Sequence, residues 1–429
     1  MVKGIKIKST KKISMNVGEI NYFNHSSKPR CVFVENKELP LICIDFWFKA
    51  GSAFEESNKN GTAHFLEHMI FKGNNNIKPG EFDYKIESLG GISNASTGYD
   101  DAHYYVLVPK NNFKESLDLL TTIVLSPNID KEEFHKEKSV VIDEIKQQND
   151  QPDENLFNYF LKRVWMDDYY GKTILGTEND VQSLKITDLE KFHKKFYTRQ
   201  NLCIAIAGDI SQRVVEEYYE NNFISSDKGE TSQKNIVSEF NLISRTGREE
   251  VIFNNLEFSR ILIAWCIPSL NYQRINIGLE ILASILSFGR NSRLVKVLKE
   301  DKNLVQSIYM DVNGGELGGL LIIEACCDSK NLEKAEEEIN KILKEVISFK
   351  NLTLNELNKA INIVKSNYIF NLETSTQITS FFGNEFLWNR KNSIKDLENH
   401  LEFWKNLDNF KEIIHYLSRD KYTLIASSS

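Results

Sequence analysis

The chain lacks several features that mark common classes of protein. It has no uninterrupted apolar run long enough to cross a membrane, so we expect no membrane span. Its 60 acidic residues exceed its 53 basic residues, which argues against a nucleic-acid binder with a basic patch. Its six cysteines never show the Cys-x-x-Cys spacing, and this usage indicates free thiols in a reducing compartment rather than a disulfide framework.

The N-terminal stretch, residues 1–15, is rich in lysine and has no apolar core of the kind found in secretory signals. Together with the cysteine usage, this predicts a cytoplasmic location. The alternation Ile5-Lys-Ile7 predicts the first strand of the fold instead.

The chain has 429 residues, which are too many for one compact core. A polar stretch from Phe223 to Glu250 has the composition of a linker. Landmarks before it recur about 220 residues later: the strand Cys203-Ile-Ala-Ile-Ala-Gly208 is matched by Tyr422-Thr-Leu-Ile-Ala-Ser427. We therefore predict a duplicated α+β fold, with one domain at 1–222, a linker at 223–250 and a second domain at 251–429.

One stretch concentrates the chemistry, Gly61-Thr-Ala-His-Phe-Leu-Glu-His-Met-Ile-Phe-Lys-Gly73. Residues four apart lie on one helix face, so His64 and His68 can direct their imidazoles at one ion. A catalytic zinc needs a third protein ligand and an open position for water, and Glu67 beside that water could take its proton. The His-x-x-Glu-His spacing is the inverse of the commoner His-Glu-x-x-His zinc-protease motif. A helix that carries two histidines near a glutamate by chance is the alternative.

A third ligand has two candidates on a predicted helix at 130–150. Glu137 and Glu144 are seven residues apart, two helical turns, and so share a face. One could coordinate zinc while the other supports the site through hydrogen bonds. Acidic residues on helices are usually solvated, and this alternative applies to both.

With these residues in view, the chain resembles the pitrilysin/insulysin family of inverted-motif zinc peptidases, especially its processing-peptidase branch. The resemblance covers essentially the whole chain. It rests on five segments: Ala63–Gly73, Glu137–Glu144, Gly90-Gly-Ile-Ser-Asn-Ala95, Tyr170-Gly-Lys-Thr-Ile-Leu-Gly-Thr177 and Ala207-Gly-Asp209.

The resemblance implies a role for each residue of the site. His64, His68 and Glu144 would bind one Zn²⁺ per chain, Glu67 would be the general base, and Glu137 would be an acid that supports the site. The 1–222 domain would then be the catalytic one, because no His-x-x-Glu-His pattern occurs after the linker. The implied fold is a pair of homologous α+β domains, each an antiparallel-rich sheet packed by helices, that forms half of a clamshell peptidase chamber.

The family's peptides bind in an extended form, as an added β-strand beside the zinc. In this chain the strand that receives them would be Ile92–Gly98, where Asn94 and Ala95 would contact the substrate. A simple turn residue is the alternative for Asn94.

The second half departs from the family's pattern. Active members carry an Arg and a Tyr seven residues apart after a Gly-rich loop and a Ser-Arg-Leu helix. Here Gly289-Arg-Asn-Ser-Arg-Leu294 is followed by Lys299 and Gln306 at those positions. Gln306 cannot donate a phenolic proton, and a lysine is a different donor from an arginine.

This departure predicts half of an active site. We expect a heterodimer in which a zinc-less homologous subunit supplies the Arg and Tyr, with a homodimer as the second choice. The predicted function is a zinc endopeptidase that acts on peptides or unfolded precursor segments. A peptide-binding, chaperone-like chamber and a structural subunit of an assembly are the alternatives.

Overall fold

A computed structural model describes residues 18–25, 28–166, 169–222, 244–349, 352–390 and 393–428. The strand predicted at Ile5-Lys-Ile7 and most of the linker predicted at 223–250 lie outside the described residues. Among the described residues, no helix is both long and apolar enough to cross a membrane.

Contacts divide the chain into two compact units. The described residues of Met1–Gln147, Thr173–Gln233 and Ile369–Lys391 form the first unit, and those of Gln148–Lys172, Lys234–Tyr368 and Asn392–Ser429 form the second. Each unit therefore contains a segment that comes from the other half of the sequence. The domain boundaries at 222 and 251 stay a prediction.

The first unit is built on a six-stranded sheet with the order β1-β2-β6-β3-β5-β4. β2 and β6 run parallel, and the other neighbours are antiparallel. The strands are β1 Ile20–Phe23, β2 Arg30–Glu35, β3 Leu41–Phe48, β4 Ile92–Thr97, β5 Ala102–Pro109 and β6 Leu202–Gly208.

The second unit repeats this arrangement with five strands in the order β7-β11-β8-β10-β9. β7 and β11 are parallel and the remaining pairs are antiparallel, so the pairing matches β2, β6, β3, β5 and β4 in turn. The strands are β7 Gly247–Phe253, β8 Ser259–Ile267, β9 Ser307–Asn313, β10 Gly319–Cys327 and β11 Tyr422–Ser428. β6 and β11 begin 220 residues apart, and the predicted duplication of an α+β unit is confirmed.

Helices cover both sheets. Among the described residues, eight α-helices come from the first half: α1 Thr62–Ile70, α2 Glu81–Ser88, α3 Phe113–Leu125, α4 Lys131–Asn149, α5 Pro152–Val164, α6 Glu178–Ser183, α7 Ile186–Phe196 and α8 Gln212–Asn222. The second half contributes α9 Gln273–Ser287, a π-helix at Val295–Asp301, α10 Leu332–Ile347, α11 Leu354–Phe370, α12 Ser375–Leu387, α13 Ser393–Trp404 and α14 Leu407–Ile414.

Two helices are exchanged between the halves. α12, from the second half of the sequence, packs on β6, β3 and β2 of the first sheet. Its residue Gly383 is required there, because a Cβ at this position would lie 2.5 Å from Cδ1 of Trp47. α5, from the first half, packs against β11 of the second sheet, where the Phe160 and Tyr422 ring centroids are 6.0 Å apart.

The start of α1 is fixed by two devices. The helix follows Gly61, whose φ of 84° is readily available only to glycine, and a Cβ there would lie 2.4 Å from the Leu175 carbonyl oxygen. The Glu55 carboxylate accepts from the backbone N–H groups of Gly61 and Ala63 at 2.9 and 2.8 Å. A carboxylate at a helix N-terminus satisfies unpaired donors and interacts well with the helix dipole, so α1 begins at a defined place.

Candidate metal centre

α1 carries both histidines of the motif on one face. The ring centroids of His64 and His68 lie 4.7 Å apart, as expected for residues four positions apart on a helix. His64 is buried, with 8% of its surface exposed, while His68 is half-buried.

α4 brings Glu144 to these histidines. One ligand atom from each of His64, His68 and Glu144 can be chosen so that all three lie within 4.8 Å of one another. The Glu144 carboxylate oxygens are 3.8 Å from His64 Nε2 and 3.4 Å from His68 Nε2. Tetrahedral zinc with bonds of 2.0–2.1 Å needs ligand atoms about 3.3 Å apart, so the donor set fits zinc after a small closure.

Glu137 lies on the other side of the His68 ring. Its Oε1 is 2.8 Å from His68 Nδ1, and its Oε2 pairs with Lys72 Nζ at 2.6 Å. A carboxylate that accepts a hydrogen bond from Nδ1–H fixes the neutral tautomer in which Nε2 keeps its lone pair for a metal. The two glutamates are therefore distinguished by position: Glu144 faces both Nε2 atoms, and Glu137 faces Nδ1.

The electrostatics of the two histidines differ. Burial, and then the neighbouring His68, lower the pKa of His64 to about 4, so this imidazole is neutral at physiological pH. Burial also opposes the charged form of His68, but its hydrogen bonds to Glu137 and Glu144 outweigh this and raise its pKa to about 9. In the metal-free protein His68 is therefore protonated on both ring nitrogens. A cation at the site would have to displace the proton on Nε2.

Glu67, between the histidines in sequence, is engaged by β4. The Thr97 hydroxyl donates a hydrogen bond of 2.5 Å to Glu67 Oε2. Burial raises the pKa of Glu67, an effect that the bond from Thr97 reduces. A carboxyl with a raised pKa is suited to taking up and releasing a proton near neutral pH.

β4 is an edge strand of the first sheet. The Gly98 N–H donates to the Asp101 carbonyl at 2.8 Å, and hydrogen-bonded pairs alternate along an antiparallel ladder. In the observed register, Ser96 and His103 face each other as a hydrogen-bonded pair. Ala95 and Tyr104 form the next pair, which is not hydrogen-bonded. The N–H of Ala95 consequently points to the unpaired edge.

The Ala95 N–H at that edge is hydrogen-bonded to a side chain of the same strand. The Asn94 Oδ1 accepts from the Ala95 N–H at 2.8 Å, and Asn94 is exposed. The two residues predicted to bind substrate thus lie at the edge where another strand could pair, on the strand that also carries Thr97.

The two positions that depart from the family pattern lie in the second unit. Lys299 is in the π-helix and Gln306 directly precedes β9, and both are exposed. Within the part of the chain that the structure describes, one group of three or more His, Cys, Asp or Glu residues is arranged so that it could hold a metal. This group is His64, His68 and Glu144.

The sequence analysis missed Thr97 and Lys72. Thr97 is two residues from Ala95 and so lies on the same face of β4, and Lys72 follows His68 by four residues, one helical turn. Strand and helix periodicity could therefore have placed both beside the motif.

Comparisons with known proteins identify the family of this chain. The family model for the insulinase peptidases (M16) matches residues 31–178, and the one described as the peptidase M16 inactive domain matches residues 183–364. The zinc protease PqqE of Helicobacter pylori is 27% identical over 370 residues, which are 85% of this chain and 82% of the relative. The uncharacterized zinc protease YmxG of Bacillus subtilis is 27% identical over 398 residues, 92% and 95% of the two chains.

A processing peptidase also matches. The probable mitochondrial-processing peptidase subunit beta of Arabidopsis thaliana is 34% identical over 200 residues, 46% of this chain and 38% of that protein. The crystal structure of a protease from Helicobacter pylori shares the fold with a TM-score of 0.84 at 24% identity, over 96% of this chain and all of that one. The predicted fold class and family resemblance are confirmed: the chain belongs to the M16, or insulinase, family of peptidases.

Proposed function

We propose that this chain is a zinc-dependent endopeptidase that hydrolyses peptides or unfolded precursor segments held as an added strand on β4. One observation carries the proposal: the His64, His68 and Glu144 ligand atoms converge within 4.8 Å of one another, with the Glu67 carboxylate on the same helix. The names of the bacterial relatives, which are zinc proteases, support the same metal.

His64, His68 and Glu144 would hold the zinc, one ion per chain. When bound, zinc would act as a Lewis acid that polarises a carbonyl and lowers the pKa of bound water toward neutrality. Glu137 keeps the Nδ1 proton on His68, and Lys72 holds Glu137 in place from its other oxygen.

Glu67 handles the proton. In the proposed reaction its carboxylate accepts a proton from the water that attacks the scissile carbonyl. It then passes the proton to the departing amine, so the carboxylate returns to its starting state. The burial that raises the pKa of Glu67 favours the first transfer, in which the carboxylate takes up the proton.

β4 would hold the substrate. An extended peptide can pair with the unpaired edge through the outward N–H of Ala95, once the Asn94 side chain releases that N–H. Pairing through the backbone would give affinity for many sequences, as a peptidase of extended segments requires.

The proposed assembly is a heterodimer with a zinc-less homologous subunit, and a homodimer is the second choice. Lys299 and Gln306 support it, because neither offers the phenolic or guanidinium donor expected at these positions. The relatives named as mitochondrial-processing peptidase beta subunits support an assembly of subunits. We propose a cytoplasmic location, supported by six cysteines that are all free thiols.

The first experiment measures zinc content and cleavage of a quenched fluorescent peptide. Glu67→Gln should retain zinc and lose at least about 100-fold in kcat, the usual contribution of a general base. His64→Ala and Glu144→Ala should lose both metal and activity. His135→Ala, at an exposed histidine of α4, is the matched control and should change neither. Full activity of Glu67→Gln would remove Glu67 from the reaction.

The second experiment tests the partner. The chain is purified alone and after co-expression with a zinc-less homologue, and cleavage is assayed with and without a chelator. Chelator-sensitive cleavage that requires the partner supports the heterodimer, whereas equal rates without it contradict the heterodimer. Peptide binding without any chelator-sensitive cleavage would instead favour the peptide-binding alternative.

A further inference from the structure

The contact between Thr97 and Glu67 is short and specific. At 2.5 Å it lies in the range of hydrogen bonds from a hydroxyl to a charged carboxylate, which are about twice as strong as neutral ones. It occupies Oε2 of Glu67 and leaves Oε1 to face another group. Thr97 is thus the described side chain that fixes which carboxylate oxygen of Glu67 is available.

The turn that follows Thr97 is tied to the start of α1. The Ser52 N–H donates to the Gly98 carbonyl at 3.0 Å, and the Ala53 N–H donates to the Tyr99 carbonyl at 2.8 Å. The same segment continues to Glu55, whose carboxylate caps α1. The helix that carries Glu67 and the turn next to Thr97 are therefore attached to one short piece of backbone.

The other side of the turn is tied to α12. Asp101 accepts from Nδ2 of Asn384 at 2.7 Å and from Nε1 of Trp388 at 3.1 Å. Burial raises the pKa of Asp101, and the two hydrogen bonds oppose this rise. A buried carboxyl with two donors resists movement, because leaving either donor or acceptor unpaired costs about 1–3 kcal/mol.

We infer that Thr97 is a positioning residue for Glu67 and that the anchored turn Gly98–Asp101 holds it in place. This inference rests on the proposed function, in which Glu67 moves a proton. The Thr97 hydroxyl can keep donating to Oε2 while Oε1 gains the proton and loses it again. The orientation of the carboxylate is then the same before and after each transfer, and no rotation of its side chain is needed.

The test compares Thr97→Val, which keeps the shape and removes the hydroxyl, with Thr97→Ser, which keeps the hydroxyl. Thr121→Val is the matched control, because this half-buried threonine of α3 donates its hydroxyl to the Leu117 carbonyl within its own helix. Thr97→Val should lower kcat about 10- to 100-fold, as is usual when a supporting partner is removed, with KM within about twofold and zinc content unchanged. Thr97→Ser should recover kcat to within about threefold of wild type, and Thr121→Val should match wild type.

A second measurement is independent of activity. In the metal-free protein, Thr97→Val should lower the urea midpoint in the wild-type background and leave it unchanged in the Glu67→Ala background. Equal shifts in both backgrounds would overturn the inference, as would a Thr97→Val enzyme with wild-type kcat. A zinc-loaded wild type that cleaves nothing with any partner would refute the proposed function. The two shifts in urea midpoint would still show, independently of activity, whether the Thr97–Glu67 hydrogen bond exists.

Discussion

Ala95→Pro is a sharp test of the proposed peptide-binding edge. Proline removes the backbone N–H of Ala95, which points away from β5 and, among the described residues, is bonded by the Asn94 side chain alone. Proline is tolerated on an edge strand where the N–H faces solvent, so the β4–β5 ladder should survive. We expect the free energy of unfolding to change by less than about 1 kcal/mol.

The effect on the substrate should be larger. One backbone hydrogen bond contributes about 0.5–1.5 kcal/mol, and the proline ring also obstructs a strand that approaches this edge. A combined loss near 1.4 kcal/mol corresponds to about tenfold in kcat/KM. The assay is cleavage of a quenched peptide by zinc-loaded protein, with melting temperature and zinc content measured on the same sample.

Ser96→Pro is the control. The N–H of Ser96 belongs to a hydrogen-bonded pair with β5, so proline there should destabilise the fold, unlike proline at Ala95. If Ala95→Pro retained wild-type kcat/KM at full zinc content, peptide pairing at this edge would be refuted. If it unfolded like Ser96→Pro, the assigned direction of the Ala95 N–H would be wrong.

Three further predictions follow from the site and the fold. Glu137→Gln should weaken zinc binding about 10- to 100-fold in a chelator competition, because the bond at His68 Nδ1 loses its charge; an unchanged affinity would contradict that role. Since the raised pKa of about 9 keeps His68 protonated below that pH, zinc affinity should increase by up to about tenfold per pH unit from 7 to 9, with proton release visible by calorimetry; a flat profile would show that His68 is already neutral. Gly383→Ala should lower the melting temperature although alanine favours helices by about 1 kcal/mol, because its Cβ would overlap Trp47 and overpacking costs about 1–3 kcal/mol; a higher melting temperature would show that the indole can move.

The arrangement of the candidate site was largely predictable because its proposed ligands follow helical periodicity. His64 and His68 four apart, and Glu137 and Glu144 seven apart, each fall on one face of a helix that the structure contains. Sequence alone left open which glutamate faces the metal position. That choice depends on how α4 crosses α1, which no local pattern encodes.

The fold was predictable where a segment decides its own structure. The strand expected at Ile92–Gly98 is observed as Ile92–Thr97, and the helix predicted at 130–150 is observed as Lys131–Asn149. β1 was missed because four residues give too short a pattern. The exchange of α5 and α12 was missed as well, because an amphipathic stripe shows that a face is buried but not which sheet covers it.

The exchange of α12 has a consequence for how the protein is made. α12 buries Ile378, Phe382, Phe386 and Leu387 in the first unit, which contributes up to about 6–12 kcal/mol, comparable with the net stability of a whole domain. The ribosome must therefore translate the chain through Leu387 before the sheet beside the metal site receives α12. Nascent chains that carry His64, His68 and Glu144 but end before α12 should remain unable to fold this unit, so zinc loading becomes a late event of synthesis.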